Sequence, residues 1–369
     1  MKILFISAAN SIHTVKWVNS LSERGHQVYL IYNSGHEPRQ DKICSEVKLH
    51  PLKHMGTIAY YLNARELSKK INEIAPDIIN VHYASGYGTL ARIAKIKPYL
   101  LSIWGSDVYE FPYRNKLNKW ILKKNIEYAD KIASTSSCMA DELRHVLKIE
   151  NLPISITPFG VDLNAFNLNK RIPKRDNQII LGCIKTLKPI YGIDEFIKAV
   201  SCMLQKIEEN KADFPHIEVH IYGEGNQKEE LVRLVETLHL GENVCFKGKI
   251  PNDEVPKVLG QIDVFCATSI KESFGVSVVE AMAMEVPVVV SDADGFKEVV
   301  ENRVTGIIVP RRDTKALALA LEELILDKAK RIQYGKNGRI RVKKLYDWDK
   351  NVDAMEKIYE EMKQYKSNR

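Results

Sequence analysis

The sequence predicts an α/β protein built from two doubly wound parallel sheets in tandem, and three observations carry that prediction. Short β-rich runs alternate with helical apolar patterns up to about residue 157, and the same alternation resumes near residue 179. A polar stretch with few apolar residues, NAFNLNKRIPKRDN at 164–177, separates the two series and reads as a linker. The chain has 369 residues, beyond the size at which one hydrophobic core keeps growing. The expected limits are 1–165 for the first domain, 166–177 for the linker and 178–349 for the second domain, with a closing helix at about 350–369.

The first strand is expected at 3–7. Met-Lys before ILFISAA also suits a short signal peptide. That run has only about seven residues, however, and Val15, Val18 and Leu21 follow at helical spacing, so a strand and then a helix fit better. Further strands read at 27–32, 77–82, 99–104, 131–135 and 154–157. The second series reads at 179–183, 218–222, 244–247, 263–267, 288–291 and 306–309. From 351 to 363, Val352, Met355, Ile358, Tyr359 and Met362 share one face of an amphipathic helix. Sheets of this kind bind ligands outside the carboxyl ends of their strands. The first strand runs into AANSIHTVKW instead of G-x-G-x-x-G, which disfavours a nicotinamide site; Gly223-Glu224-Gly225 is only a fragment of that pattern.

With 45% hydrophobic and 27% charged residues, the composition is that of an ordinary globular protein without low-complexity segments or short repeats. No run approaches the ~20 apolar residues of a spanning helix, so a soluble or peripheral protein is expected. Cys44, Cys138, Cys183, Cys202, Cys245 and Cys266 contain no close pair. They argue against zinc ribbons and disulfide frameworks, for a reducing compartment, and for small buried apolar roles. The net charge of +7 is uneven, since residues 1–165 hold 21 Lys and Arg against 15 Asp and Glu. That excess is too weak for nucleic acid and suits a face toward anionic lipid or an acidic acceptor. Residues 114–124, RNKLNKWILKK, hold five basic residues, no acidic one, and Leu117, Trp120 and Ile121 at helical spacing. Such a basic amphipathic helix either lies on a membrane surface or packs Trp120 into the domain and leaves its lysines in water.

The most informative stretch is ESFGVSVVEAMAMEVPVVVSD at 272–292, which reads as loop, helix, turn and strand. Gly275 lets the backbone approach a ligand closely. A helix starting there aims N–H groups and a positive dipole end outward, as a phosphate site requires. Glu272 falls beside that site, and Glu280 lies roughly 8 Å further on at ~1.5 Å per residue, a nucleoside's width away. A second carboxylate at that distance suits a ribose diol. The plainer alternative is a solvated Glu272 and a helix-surface Glu280 around a core helix. No D-x-D ends a strand in a metal-binding context, and Asp292-Ala293-Asp294 reads as a turn.

Residues 272–283 resemble the E-x7-E signature of family 4 glycosyltransferases, which have the GT-B fold. Further matches flank it in order: MKILFIS at the start, TPFGVD at 157–162, YGEG at 222–225, FKGKIP at 246–251, DVFCATS at 263–269, then DGFKEVV and TGIIVP between 294 and 310. The resemblance spans nearly the whole chain. It implies an α/β protein of GT-B type, with two Rossmann-like doubly wound parallel-sheet domains facing a cleft and the closing helix packing back on the first. It also implies a retaining, metal-independent glycosyltransferase without a cofactor. The donor is a nucleotide sugar, taken as UDP-linked, and the acceptor a hydroxyl of a glycan or lipid-linked molecule. With the basic first domain, this points to surface polysaccharide assembly, as in lipopolysaccharide or capsule, by a cytoplasmic protein peripheral at the inner face of the membrane.

The resemblance assigns Glu280 to the ribose and Glu272 to the transferred sugar and its leaving phosphate. Backbone N–H groups of Phe274, Gly275 and Val276 face sugar and phosphate, while the loops of Gly223, Lys249 and Ile250 meet the base. The family carries an Arg after a glycine on the first strand of the second domain and a Lys-Gly pair shortly after it. Here GCIKTLKPIYGID at 182–194 puts Cys183 and Tyr191 in those places, in a slightly longer loop. The phosphate role therefore passes to Lys185 first and Lys188 second, the alternative being two solvated loop lysines. His82 at the end of DIINVH matches a family His that contacts donor sugar or acceptor; a satisfied structural His is the alternative. Asp107 in SIWGSDV resembles an H-G-x-D element with Trp104 in place of the His, and either orients the acceptor or caps a helix. Asn10, His13 and Lys16 fall in the acceptor-side loop. A non-catalytic sugar-nucleotide-binding protein, or an epimerase or phosphorylase of the same fold, are the competing readings.

Overall fold

The computed structural model describes residues 1–39, 42–171, 177–210 and 214–367. Residues 172–176 of the expected linker lie outside the described residues. The chain divides into two compact units, one of residues 1–159 with the helix from Asp349 onward and one of residues 160–348.

In the first unit, β1 (Lys2–Ile6), β2 (Gln27–Ser34), β3 (Lys48–Met55), β4 (Ile78–His82), β5 (Leu100–Ile103), β6 (Lys131–Ser134) and β7 (Ser155–Ile156) form one sheet. Its order is β3-β2-β1-β4-β5-β6-β7, with parallel pairing throughout. The central strands carry near-continuous apolar runs because helices cover both faces of such a sheet. KILFI, IINVH and LLSI are accordingly buried almost throughout. The strand that the sequence pattern does not announce is β3, KLHPLKHM. It pairs only with β2, at the sheet edge, where Pro51 withholds no needed donor and exposed Leu49 and lysines replace the apolar pattern.

The second unit repeats the plan with β8 (Gln178–Ile184), β9 (His216–Tyr222), β10 (Val244–Gly248), β11 (Val264–Ala267), β12 (Val288–Ser291) and β13 (Gly306–Val309). The order is β10-β9-β8-β11-β12-β13, again parallel. In each sheet the chain first builds outward from one side of its first strand, then returns to build on the other. The loops leaving the strands at that reversal diverge and open a crevice, the usual ligand site of open α/β sheets. The two crevices lie between β1 and β4 and between β8 and β11.

The Trp348–Ser367 helix packs Val352, Met355, Ile358, Tyr359 and Met362 into the first unit. The Tyr359 hydroxyl accepts a 2.7 Å hydrogen bond from Asn80 on β4, and Asn80 accepts one of 2.9 Å from Ser102 on β5. All three groups are buried. Ion pairs from Arg24 to Asp353 (2.5 Å) and Glu356 (2.7 Å) secure the helix at the surface. The cysteine expectation needs correction: all six are free, but only Cys183 and Cys266 are buried, and Cys202 is exposed on its helix. Among the described residues no helix is long and apolar enough to cross a membrane. Tyr359→Phe, which leaves the buried Asn80 amide without its acceptor, is expected to cost ~1–3 kcal/mol by urea denaturation. A loss within the ~0.5 kcal/mol of an ordinary surface change would show that this bond does not anchor the helix.

Candidate active site

The second crevice is built on glycines. Lys185 follows β8 directly, and its N–H donates to the Tyr222 carbonyl at 2.9 Å. A Cβ on Gly223 would lie 1.9 Å from the Lys185 carbonyl oxygen, and one on Gly225 2.1 Å from that of Leu187. Only glycine lets the 222–225 loop lie flush against this segment. The Lys185 ammonium then donates to Glu272 Oε2 at 2.5 Å and lies 4.5 Å from the centre of the Tyr191 ring. The two side chains are 21% and 12% exposed, so water screens the pair only in part. Burial opposes the lysine charge, but the Glu272 carboxylate, helped by Tyr191 and Cys183, outweighs it and raises the pKa. Tyr191 is placed by Gly192 (φ +59°), where a Cβ would meet the Thr268 carbonyl oxygen at 2.4 Å. Burial pushes the Cys183 thiol up to about 12, so the residue in the family's Arg position is neutral.

Glu272 belongs to the loop after β11. Its carbonyl accepts from Gly295 N–H at 2.9 Å, and a Cβ on Gly295 would meet Phe274 N at 2.4 Å. The Phe274 side chain is buried edge-on against Tyr346 at 5.4 Å, so only its backbone can meet a ligand. Gly275 (φ +102°) opens the Val276–Ala283 helix, whose first N–H groups have no intrahelical acceptor. Glu280 is half-buried on that helix. Lys188 and Lys249 are exposed, Ile250 is half-buried, and neither lysine joins the Lys185–Glu272 pair. Asp294, expected in a turn, instead begins the Asp294–Val299 helix. Among the described residues no cluster of His, Cys, Asp and Glu is arranged to hold a metal ion.

In the first crevice, His82 ends β4 fully buried. Its Nδ1 lies 3.1 Å from Ser7 Oγ, which lies 2.7 Å from Thr14 Oγ1. Its Nε2 has no partner among the described residues. Trp104 packs 4.2 Å from the His82 ring, and His13 stacks on Phe159 at 3.8 Å with its edge toward Trp104 at 5.7 Å. Asp107 is also fully buried, with its carboxylate accepting from the N–H groups of Ala84 (3.0 Å), Trp104 (3.1 Å) and Gly105 (2.9 Å). It ties the loop after β4 to the loop after β5, which is the work of a structural anchor. Asn10 and Lys16 are half-buried beside His13 in sequence.

Two family descriptions match: "Glycosyl transferases group 1" over residues 165–341 and "Glycosyl transferase 4-like" over residues 2–136. The chain belongs to the family 4-like glycosyltransferases. It is 25% identical over 357 residues to N-acetyl-alpha-D-glucosaminyl L-malate synthase of Bacillus anthracis, covering 92% of this chain and 90% of that protein. It is 26% identical over 356 residues to phosphatidyl-myo-inositol mannosyltransferase of Mycolicibacterium smegmatis, covering 94% and 89%. Anabaena HepE, solved in complex with UDP, superposes with a TM-score of 0.78 at 17% identity, covering 98% of this chain and 100% of that one. The structural likeness shows the fold, which is GT-B.

The glycosyltransferase has features its sequence did not announce. Tyr191 reads in the sequence as a missing lysine, yet it covers the lysine that is present. A cavity of about 420 Å³ occupies the carboxyl ends of β1, β2 and β4, with Tyr60, Tyr61, Tyr83 and Tyr87 in its walls. The available signal was tyrosine density, AYY at 59–61 and YASGY at 83–87. The 114–124 segment enters the Lys116–Tyr128 helix, capped by Asn115 Oδ1 accepting from Asn118 N–H at 2.8 Å. Leu117 and Trp120 are 63% and 51% exposed, so Trp120 is not packed into the unit.

Burial, then the charge of Lys16, lowers the His13 pKa to about 4; burial, then His13, lowers that of His82 to about 3. In the unfolded chain both titrate near pH 6.5. Below that pH the unfolded chain binds more protons, so stability is full above it and falls as the medium is acidified toward the folded values. The expected slope is up to ~1.4 kcal/mol per pH unit for each histidine. Denaturation midpoints followed from neutral pH to the onset of acid unfolding check this, and His13→Phe, which keeps the stack, should flatten the slope. An unchanged slope would mean that His13 is charged in the fold.

Proposed function

We propose that the chain is a retaining glycosyltransferase that moves a sugar, without a metal ion, from a UDP-linked donor to a hydroxyl of a glycan or lipid-linked acceptor in surface polysaccharide assembly. The observation that carries this reading is the Lys185–Glu272 pair at the switch point of the second sheet, beside the start of the Val276–Ala283 helix. A half-buried lysine and a helix N-terminus together form a seat for a diphosphate. Glu280, the fifth residue of the helix, accepts from the ribose hydroxyls in this reading. HepE was solved with UDP, and the mycobacterial relative is named for a lipid acceptor; both support the choice of donor and acceptor class.

In the reaction the bond from the sugar's anomeric carbon to the diphosphate oxygen breaks. A bond to the acceptor oxygen forms on the same face, and the acceptor's proton passes to the leaving diphosphate. Lys185 and the helix N-terminus offset the charge that develops there. Glu272, held by Lys185, orients that cation and the transferred sugar and is not a free glycosidase carboxylate. His82 serves sugar or acceptor, with Asp107 holding its loop, and Asn10, His13 and Lys16 line the acceptor side. The basic 114–124 segment rests on the inner face of the membrane.

Glu272→Gln is expected to lower kcat by about 10²–10³-fold in a direct transfer assay, and a near-unchanged rate would remove its role. Glu280→Ala should weaken donor binding about 10- to 100-fold by calorimetry, with unaltered affinity counting against the ribose contact. UDP release that needs an acceptor separates transfer from epimerase or phosphorylase chemistry. UDP-sugar binding without turnover on a broad acceptor panel would favour a non-catalytic binder.

A further inference from the structure

Three helices of the second unit end against one neighbour. The Lys328–Leu345 helix is rich in lysine and arginine and holds no acidic residue. Three of its arginines are half-buried, and each reaches the last turn of a different helix. Arg331 donates from Nη1 to the carbonyls of Leu324 (2.7 Å) and Ile325 (2.5 Å), at the end of the Thr314–Leu326 helix. Arg339 donates from Nη1 to the Ala283 carbonyl, at the end of the Val276–Ala283 helix, and to the Phe166 carbonyl at 3.1 Å. Arg341 donates from Nε to the Val299 carbonyl at 2.8 Å and from Nη2 to that of Glu298 at 2.9 Å, at the end of the Asp294–Val299 helix. The last carbonyls of a helix lack intrahelical donors and carry the negative end of its dipole, so a cation placed there answers both.

Two of these three helices begin at the donor site. Val276–Ala283 opens at Gly275 and carries Glu280. Asp294–Val299 holds the Glu272 loop at its start, where Gly295 N–H donates to the Glu272 carbonyl at 2.9 Å. Its Phe296 ring also backs Gly275, on which a Cβ would lie 2.9 Å from that ring. No assigned donor residue lies on the third helix, Thr314–Leu326. The arginine-bearing helix sits tight against this assembly: a Cβ on Gly335 would meet the Glu285 carbonyl oxygen at 2.2 Å. Tyr346, just past its end, meets the Phe274 ring edge-on at 5.4 Å. It therefore touches the chain just beyond both ends of Val276–Ala283. A helix of that length is only ~12 Å long and moves as a rod, so a shift at its carboxyl end reaches its amino end.

We infer that Arg339 and Arg341 are positioning residues for the donor site. Gripping the far ends of two helices, they set where the near ends, with the N–H groups of Gly275 and Val276 and the loop of Glu272, meet the diphosphate. The inference rests on the reading of that place as the diphosphate seat.

The test pairs amide hydrogen exchange without donor, read by mass spectrometry, with UDP affinity by calorimetry. Arg339→Met should speed exchange over 272–283 and weaken UDP binding about fivefold or more. Arg341→Met should speed exchange over 294–299 with a similar loss of affinity. Arg339→Lys, whose one nitrogen can serve both carbonyls that Arg339 Nη1 serves, should keep UDP affinity within about twofold. Arg341→Lys, which loses the fork onto two carbonyls, should keep less of it. Arg331→Met is the control: it should speed exchange over 314–326, lower the thermal midpoint comparably and leave UDP affinity unchanged. Unchanged UDP affinity in both Arg339→Met and Arg341→Met, or an equal loss in Arg331→Met, overturns the inference. Should the methionine variants fail to fold, wild-type UDP affinity in Arg341→Lys overturns it. Failure of the wild type to bind UDP would strike the donor reading by itself; exchange over 272–283 unaltered by Arg339→Met would overturn the positioning role in either case.

Discussion

The chemistry proposed for the second unit turns on one ion pair, Lys185–Glu272. Lys185 is held in a site where burial works against its charge, and Glu272, 2.5 Å away, keeps it charged. Removing either partner of such a pair leaves the other charge partly desolvated and unmatched, which is why the two act as one device. On the proposed reading a diphosphate would meet a cation already formed, held by a carboxylate at 2.5 Å and an aromatic ring at 4.5 Å. Preorganisation of this kind serves a reaction in which charge develops on a leaving phosphate.

The surrounding fold holds that geometry in place. Lys185 and Glu272 are 87 residues apart in sequence but leave adjacent strands of one parallel sheet, β8 and β11. Gly223 and Gly225 allow the β9 loop to press on the Lys185 backbone, and Gly192 lets the Tyr191 turn press on Thr268. The first unit solves a similar problem with polar groups. Asp107 fixes the loop that follows His82 through three backbone N–H groups, and the Asn80–Tyr359 bond joins its sheet to the closing helix.

Most of the sheet architecture was legible because parallel strands covered on both faces leave unmistakable apolar runs. The exception, β3, is an edge strand carrying Pro51 and lysines, and its pattern is that of a loop. The E-x7-E spacing put Glu272 in a loop and Glu280 on the helix after it, where both stand, and Lys185 was legible as the first cation after β8. The rest was not, for identifiable reasons. Tyr191 looks like a lost lysine in one dimension and gains its place only through the Gly192 turn. Asp107 has the sequence context of a site residue, while its three backbone partners become visible only when two loops are brought together. The aromatic cavity draws on residues from 8 to 121, a span over which no local pattern exists. Whether Trp120 faces water or the core is decided by the rotation of its helix, which amphipathic spacing left open.

The measurement that bears most directly on the central claim is calorimetric titration of the wild type and Lys185→Met with UDP and with uridine. The account predicts that the substitution costs about tenfold or more in UDP affinity and leaves uridine affinity unchanged, a coupling confined to the phosphates. An equal loss for both ligands, or no loss for UDP, would contradict the assignment of the Lys185–Glu272 pair as the diphosphate seat.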